Sequence, residues 1–251
     1  GGNHFIELNR SDDGRYYLVI HSGSRPLGKQ IAEHYQEMAY SKLLSDSKID
    51  TAGLVAEMKA SGRESEIGAV LKEIRHNTLQ VEKFKHMAYC EGELLEAYLH
   101  DMDIAQSFAV LNRKTIADII CSEMQWQVKS EFQTIHNYID TKAMILRKGA
   151  VSARKDERFI VPINMRDGSL ICVGKGNSDW NFSAPHGAGR LMSRTQARQF
   201  ITLEDAKQAM QGIYTSSIND NTIDESPQAY KNMGEIVRNM QDTAEIVEVI
   251  K

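Results

Sequence analysis

No run of about 18 apolar residues occurs in the chain, so a membrane-spanning helix is not expected. The first residues, GGNHFIELNR, lack the basic-then-apolar layout of a secretion signal, and a cytoplasmic location is the expectation. Cysteine is scarce as well. Cys90, Cys121 and Cys172 are odd in number, widely spaced and never in a Cys-x-x-Cys arrangement, which speaks against a disulfide framework and against a thiolate zinc site. Charge of one sign is also missing: a net charge of −4 argues against a surface coated in positive charge for unspecific nucleic-acid binding, while leaving room for a local basic groove. Neither GxxxxGK[ST] nor GxGxxG is present for a nucleotide, and no local His-x-x-x-His pair is present for a metal.

What is there suffices for a globular protein: 251 residues, of which 41 % are apolar, can fill a core. HFIEL and YYLVIHSGS are rich in β-branched and aromatic residues and flank the turn-forming NRSDDGR, so they predict a β-hairpin. From about Lys29 to Glu123 apolar residues recur three and four apart, as in IAEHYQEMAYSKLL, IGAVLKEI and LLEAYLHDMDIAQSFAVLNRKTIADII, which predicts a helical block. FQTIHNYI, AMILRKGAVSA, RFIVPI and SLICVGKG then return to short alternating runs and predict a sheet. Helices are expected over SRTQARQF, TLEDAKQAM and, from the Ser226-Pro227 start signal, YKNMGEIVRNM. The whole reads as one α+β domain whose sheet is completed by segments distant in sequence. The chain opens inside a structured motif and stops within the apolar IVEVIK, so further polypeptide is expected on both sides.

Chemistry concentrates on four of the eight histidines. His34, His76, His86 and His100 lie in helical stretches among charged neighbours and read as surface residues. His4, His21, His136 and His186 instead sit at strand ends or glycine-rich turns, where site residues collect. Imidazoles there either bind a metal assembled over long range or satisfy backbone groups. Around His186, in SAPHGAGRLMSR, a Gly-Ala-Gly turn before a helix offers amides and a helix dipole to a phosphate, and Arg190 can add a bidentate clamp. A histidine beside such a cradle is placed to attack phosphorus. The competing reading is a glycine-rich cap with a hydrogen-bonded histidine. Lys148, Asn3 and Asn137 are candidates for phosphate or ribose, and Glu7 shares a strand face with Asn3 and Phe5. Basic clusters at Arg147, Lys148, Arg154, Lys155 and Arg158, and at Arg190, Arg194 and Arg198, are either a groove or solvated faces.

GGNHFIEL, HSGSR-x-LG, HNY, RKGAVSAR, APHGAGRLMSR and PQAYK, in that order, resemble the RtcB-type RNA-splicing ligases along nearly the whole chain apart from the helical block. The resemblance implies a single RtcB-like α+β domain over residues 1–251, with a sheet core, a helical insertion at about 29–123 and terminal helices. It implies ligation of a 2′,3′-cyclic phosphate or 3′-phosphate RNA end to a 5′-hydroxyl end, with GTP and manganese, on RNA ends such as those of broken or spliced tRNA. By the same resemblance His186 is the guanylylated histidine, with Arg190 beside it, and His4, His21 and His136 are ligands in a site for two Mn²⁺ ions. Asn3, Phe5, Glu7, Asn137, Lys148, Asn164, Ser169, Gly187, Ala188, Gly189 and Tyr230 are implied as nucleotide contacts. An Asp-x-x-Cys element with further metal ligands, upstream of GNHFIE, and a closing strand whose lysine reads guanine are also implied; neither falls within these residues. Pro26 stands for a glycine usual in HSGSRG, and VPINMRDGS replaces a PGSMG-like loop, so Asn164 occupies an expected serine position while Ser169 is kept. Two other functions stand beside the ligase: a nucleotide- or RNA-end-binding paralogue without ligation, and a metal-dependent cyclic phosphodiesterase.

Overall fold

A computed structural model describes residues 4–46, 50–83 and 85–251. Its backbone divides into two compact units, Gly1–Gly23 with Ser107–Lys251, and Ser24–Gln106. In the first, β1 (Phe5–Arg10) and β2 (Tyr16–His21) form the expected antiparallel hairpin, Phe5 opposite His21 and Arg10 opposite Tyr16. Alternation puts Ile6 and Leu8 outward and turns Phe5, Glu7 and the buried Asn9 to the other face.

Among the described residues the remaining strands make two three-stranded sheets rather than one continuous sheet. β3 (His136–Asp140), β4 (Ile145–Ser152) and β7 (Ser183–Pro185) are antiparallel in the order β3-β4-β7. β5 (Arg158–Asn164), β6 (Gly168–Gly174) and β8 (Ala244–Ile250) are antiparallel in the order β5-β6-β8. The terminal IVEVI thus supplies the distant strand that the sheet needed, and Ile250 also bridges back to Ser11 beyond the hairpin. β6 is the central strand and is enclosed on both faces, which is why SLICV is continuously apolar after its serine. Phe159, Val161 and Ile163 of β5 pack with Leu170 and Cys172 in the main core, together with Val151, Ala184, Ala188, Ile236 and Met240. Burial pushes the Cys172 thiol up to about 12, so it stays protonated at neutral pH.

Short helices close this unit. α5 (Arg194–Phe200) and α6 (Leu203–Ala209) each begin with a reciprocal capping box, Ser193 with Gln196 and Thr202 with Asp205. Thr202→Ala is therefore expected to lower stability by about 1 kcal/mol, read as a shifted midpoint in urea at unchanged slope. α7 (Met233–Asn239) is capped by Asn232, not started by Ser226-Pro227 as its sequence suggests. Pro227–Ala229 makes only a single 3-10 turn, after which Tyr230 is extended and bridges Arg190, a pairing that outcompetes local helix propensity.

The predicted helical block resolves into α1 (Pro26–Asp46), α2 (Thr51–Ala60), α3 (Ile67–Lys83) and α4 (Gly92–Glu123). Pro26, the residue that departs from HSGSRG, is the first residue of α1, where its missing N–H costs nothing. In the second unit Tyr35 donates to Asp101 at 2.7 Å and packs on Tyr98, and Ala39, Met58 and Ala105 are buried. The C-terminal part of α4, from Ser107, belongs to the first unit. No helix among the described residues is long and apolar enough to cross a membrane.

Candidate functional site

Three separate strand pairings bring four imidazoles into a row. The β1–β2 register sets Phe5 against His21, ring centroids 4.9 Å apart, with the His4 ring 6.2 Å from His21. His136 opens β3, where the pairing with β4 slips between His136 and Tyr138. The slip is built by Asn137, held at φ 54° with its Oδ1 accepting from the Gly149 amide at 2.7 Å, and by Gly149 itself at φ 69°, a backbone shape that favours glycine. A bulge of this kind re-aims the neighbouring side chain, and the His136 ring stacks on His21 at 5.2 Å and on His186 at 4.9 Å. Pairing of Pro185 with Ala150 places His186 one step beyond β7, next to Gly149. A Cβ at Gly149 would stand 3.8 Å from the imidazole. His186 is half-buried, so its ring is supported on one side and reachable from the other.

Within the row, His21 Nε2 and His136 Nε2 lie 2.9 Å apart. Burial, the adjoining His186 and His21, and the cations of Lys148 and Arg113 hold His136 down at about 4, so the ring is neutral at physiological pH. Its Nδ1 is enclosed without a partner among the described residues. Neutral imidazoles whose nitrogens converge are suited in kind to a divalent transition metal. Among the described residues, however, no group of three histidine, cysteine, aspartate or glutamate side chains closes on a common point, so the described part offers a converging pair and not a complete coordination shell. Glu7, on the face shared with Phe5, has its carboxyl raised by burial, opposed by a 3.3 Å bond from Asn9.

The Gly187–Gly189 turn differs from its expected setting. It does not begin a helix, since α5 starts at Arg194 behind its own Ser193 cap. Ala188 is sunk in the main core and its amide donates to the Pro162 carbonyl at 3.1 Å, so it is not free for a phosphate. The amides of Gly187 and Gly189 have no acceptor among the described residues. Gly189 adopts φ 66°, and its carbonyl accepts from Lys231, while Leu191 donates to Ala229; these bonds zip the turn to the Tyr230 segment.

Arg190 is likewise spent within the protein rather than poised as a bidentate clamp. It donates to the Met192 carbonyl at 3.1 Å, the Tyr230 hydroxyl at 3.1 Å and the Asp224 carbonyl, and its guanidinium lies 5.0 Å from the Tyr230 ring centroid. Tyr230 in turn donates to Glu225, and burial together with that carboxylate raises its phenol. Arg194 and Arg198 pair with Asp224 and Glu225, so the second basic cluster is neutralised in place. In the first cluster Arg147 is buried against Asp140, which also takes Arg154, whereas Lys148 is exposed with no carboxylate partner among the described residues.

Of the remaining predicted contacts, Asn164 uses its side chain to close the β5–β6 turn, bonding Asp167 at 2.9 Å and accepting from the Arg166 and Asp167 amides. Ser169 is fully buried opposite Pro162, with its hydroxyl unpartnered among the described residues. Asn3 lies outside the described residues. Sequence reasoning missed Asp224 and Glu225, and also Asn112 and Arg113 of α4; each reads locally as an ordinary polar face of a helix or turn.

A family model described as tRNA-splicing ligase RtcB matches residues 1–251. Among curated proteins the chain is 29 % identical to the RNA-splicing ligase RtcB1 of Escherichia coli (strain ATCC 25922), over all of this chain and 58 % of that protein. It is 28 % identical to the RNA-splicing ligase RtcB of Escherichia coli K12, with the same coverage. It is 26 % identical to the tRNA-splicing ligase RtcB of Aeropyrum pernix, over 94 % of this chain and 53 % of that one. The chain therefore spans little more than half the length of these relatives.

Proposed function

The chain belongs to the RtcB family of tRNA-splicing ligases, and from that premise we propose that its histidine row is the ligating centre of a cytoplasmic, GTP- and manganese-dependent RNA ligase. The observation that carries the proposal is the half-buried His186 ring stacked 4.9 Å from His136, beside the Gly187 and Gly189 amides, which have no acceptor among the described residues. An imidazole nitrogen of His186 attacks the α-phosphorus of GTP; a P–N bond forms as the P–O bond to pyrophosphate breaks. GMP then passes to the 3′-phosphate of an RNA end, freeing the imidazole. A 5′-hydroxyl attacks that phosphate, and GMP leaves as the new phosphodiester closes.

The two glycine amides would hold phosphate oxygens, and exposed Lys148 would add a cation within electrostatic reach of His136. Arg190 keeps Tyr230 and the turn together, the role its hydrogen bonds fit. Manganese held by His21 and His136, with His4 next along the row, would supply charge neutralisation for the triphosphate. A second reading, nucleotide or RNA-end binding without ligation, is favoured by one observation: the Asn164 side chain is used in closing the β5–β6 turn.

The deciding experiment incubates the full-length protein with Mn²⁺ and α-labelled GTP, denatures it, and then offers RNA with 3′-phosphate and 5′-hydroxyl ends. Acid-labile label on the protein and joined RNA are expected. GTP retained only before denaturation supports the binding module. Opening of a cyclic phosphate without GTP supports a phosphodiesterase.

A further inference from the structure

Helix α4 reaches the histidine row through two consecutive side chains. Asn112 Nδ2 donates to Ser22 Oγ at 2.9 Å and to the Gly23 carbonyl at 3.3 Å. Arg113 Nη1 donates to the Ser22 carbonyl at 3.0 Å, and its Nη2 donates to Gln133 Oε1 at 2.8 Å. Ser22 follows His21 directly, and Gln133 precedes His136 by three positions. One guanidinium therefore spans the two segments that carry the converging imidazoles, using different nitrogens for each.

The charge of Arg113 is as informative as its bonds. No carboxylate pairs with it among the described residues, and burial lowers its pKa. Arg113 is half-buried, so two directional bonds hold a cation that is partly withdrawn from water. A carboxylate there would compete for the two nitrogens that grip Ser22 and Gln133.

We propose that Arg113, seconded by Asn112, is a positioning residue that sets the spacing of His21 and His136 by stapling the loop after His21 to the segment before His136. The proposal deepens the ligase reading and rests on it for its kinetic test only. Lysine keeps the charge but presents one nitrogen instead of a planar fork, so it cannot grip both acceptors in the same geometry.

Arg113→Lys, Arg113→Ala and Asn112→Ala, made in the full-length protein, separate fork from charge. For Arg113→Lys and Arg113→Ala alike, the first-order rate of His186 guanylylation is expected to fall roughly 10- to 100-fold, as for other residues that orient a working imidazole. The GTP concentration for half-maximal rate should stay within about threefold, and Asn112→Ala should lose roughly tenfold in rate. Imidazole nitrogen NMR signals of His21 and His136 in histidine-labelled protein should shift in all three variants, while that of His34, outside the row, stays put. Arg113→Lys matching the unaltered protein in rate and in spectra overturns the staple in favour of charge alone; a change confined to GTP half-saturation overturns it in favour of a nucleotide contact. Should the unaltered protein take no label at all, the ligase reading fails, and unshifted His21 and His136 signals would be what sinks the staple.

Discussion

His186→Ala in the full-length protein is expected to abolish covalent capture of GMP, by at least about a thousandfold in label retained after denaturation. Nothing else in the row is placed to substitute. His136 is the neighbouring ring, but one of its nitrogens is enclosed and the other is 2.9 Å from His21. His21 and His4 stand further along the row. The fold should barely register the change. The His186 ring is half-buried, lies beyond the end of β7 and stacks on a single ring, whereas its flanks, Ala184 and Ala188, are the residues held in the core. A melting temperature within about 2 °C of the unaltered protein is the matching expectation. Electrophoresis of the denatured, labelled protein decides it. Undiminished label in the alanine variant would move the nucleophile to another residue and remove the basis for the mechanism above.

Much of this arrangement is legible in the residues, and the illegible parts have physical reasons. The hairpin follows from two β-rich runs around Asp12-Asp13-Gly14, and β5 and β6 follow from RFIVPI and SLICV, because local pattern and burial agree there. The helical block shows its periodicity plainly. That the strands divide into separate sheets is not local information: β8 joins β6, and β7 joins β4, across long stretches of chain. The true start of α7 at Asn232 is hidden because Tyr230 is held extended by Arg190, a contact whose partners are distant in sequence.

For the site, strand ends and glycine turns single out the four histidines whose rings stack in a row. The Gly-Ala-Gly run was legible as a close approach of backbone, yet not in kind. Local rules read its arginine and its helix as parts of a phosphate cradle, whereas the distant Asp224 carbonyl and Glu225 carboxylate claim the arginine, and Ser193 caps the helix four residues after the turn. Opposite charges some thirty positions apart leave no periodic trace in a sequence.

That acidic pair supports the second large effect: removing Arg194 and Arg198 together should cost about 3–5 kcal/mol of stability, more than the sum of the two single losses. Asp224 is 1 % exposed; Arg194 lies 2.9 Å from one carboxylate oxygen and Arg198 2.6 Å from the other, the latter an ion pair whose angle makes no hydrogen bond. Either arginine alone still compensates the buried charge, so Arg194→Ala or Arg198→Ala should cost only about 1 kcal/mol. With both gone, the Asp224 carboxylate remains in the interior without either of its ion-pair partners, and burial of an unpaired ion is what makes breaking such pairs expensive. Asp224→Ala should be milder than the double variant despite deleting the centre of the cluster, because the arginine side chains are 47 % exposed and return to water. Denaturation in urea with unchanged slope measures all four proteins as a cycle. The effect should reach the site as well, since the Asp224 carbonyl and Glu225 hold Arg190 and Tyr230, to which the turn after His186 is zipped. Label formation in the double variant should therefore fail below its melting temperature. Additive single losses would show that Asp224 does not depend on the arginines, and that something else fixes the turn.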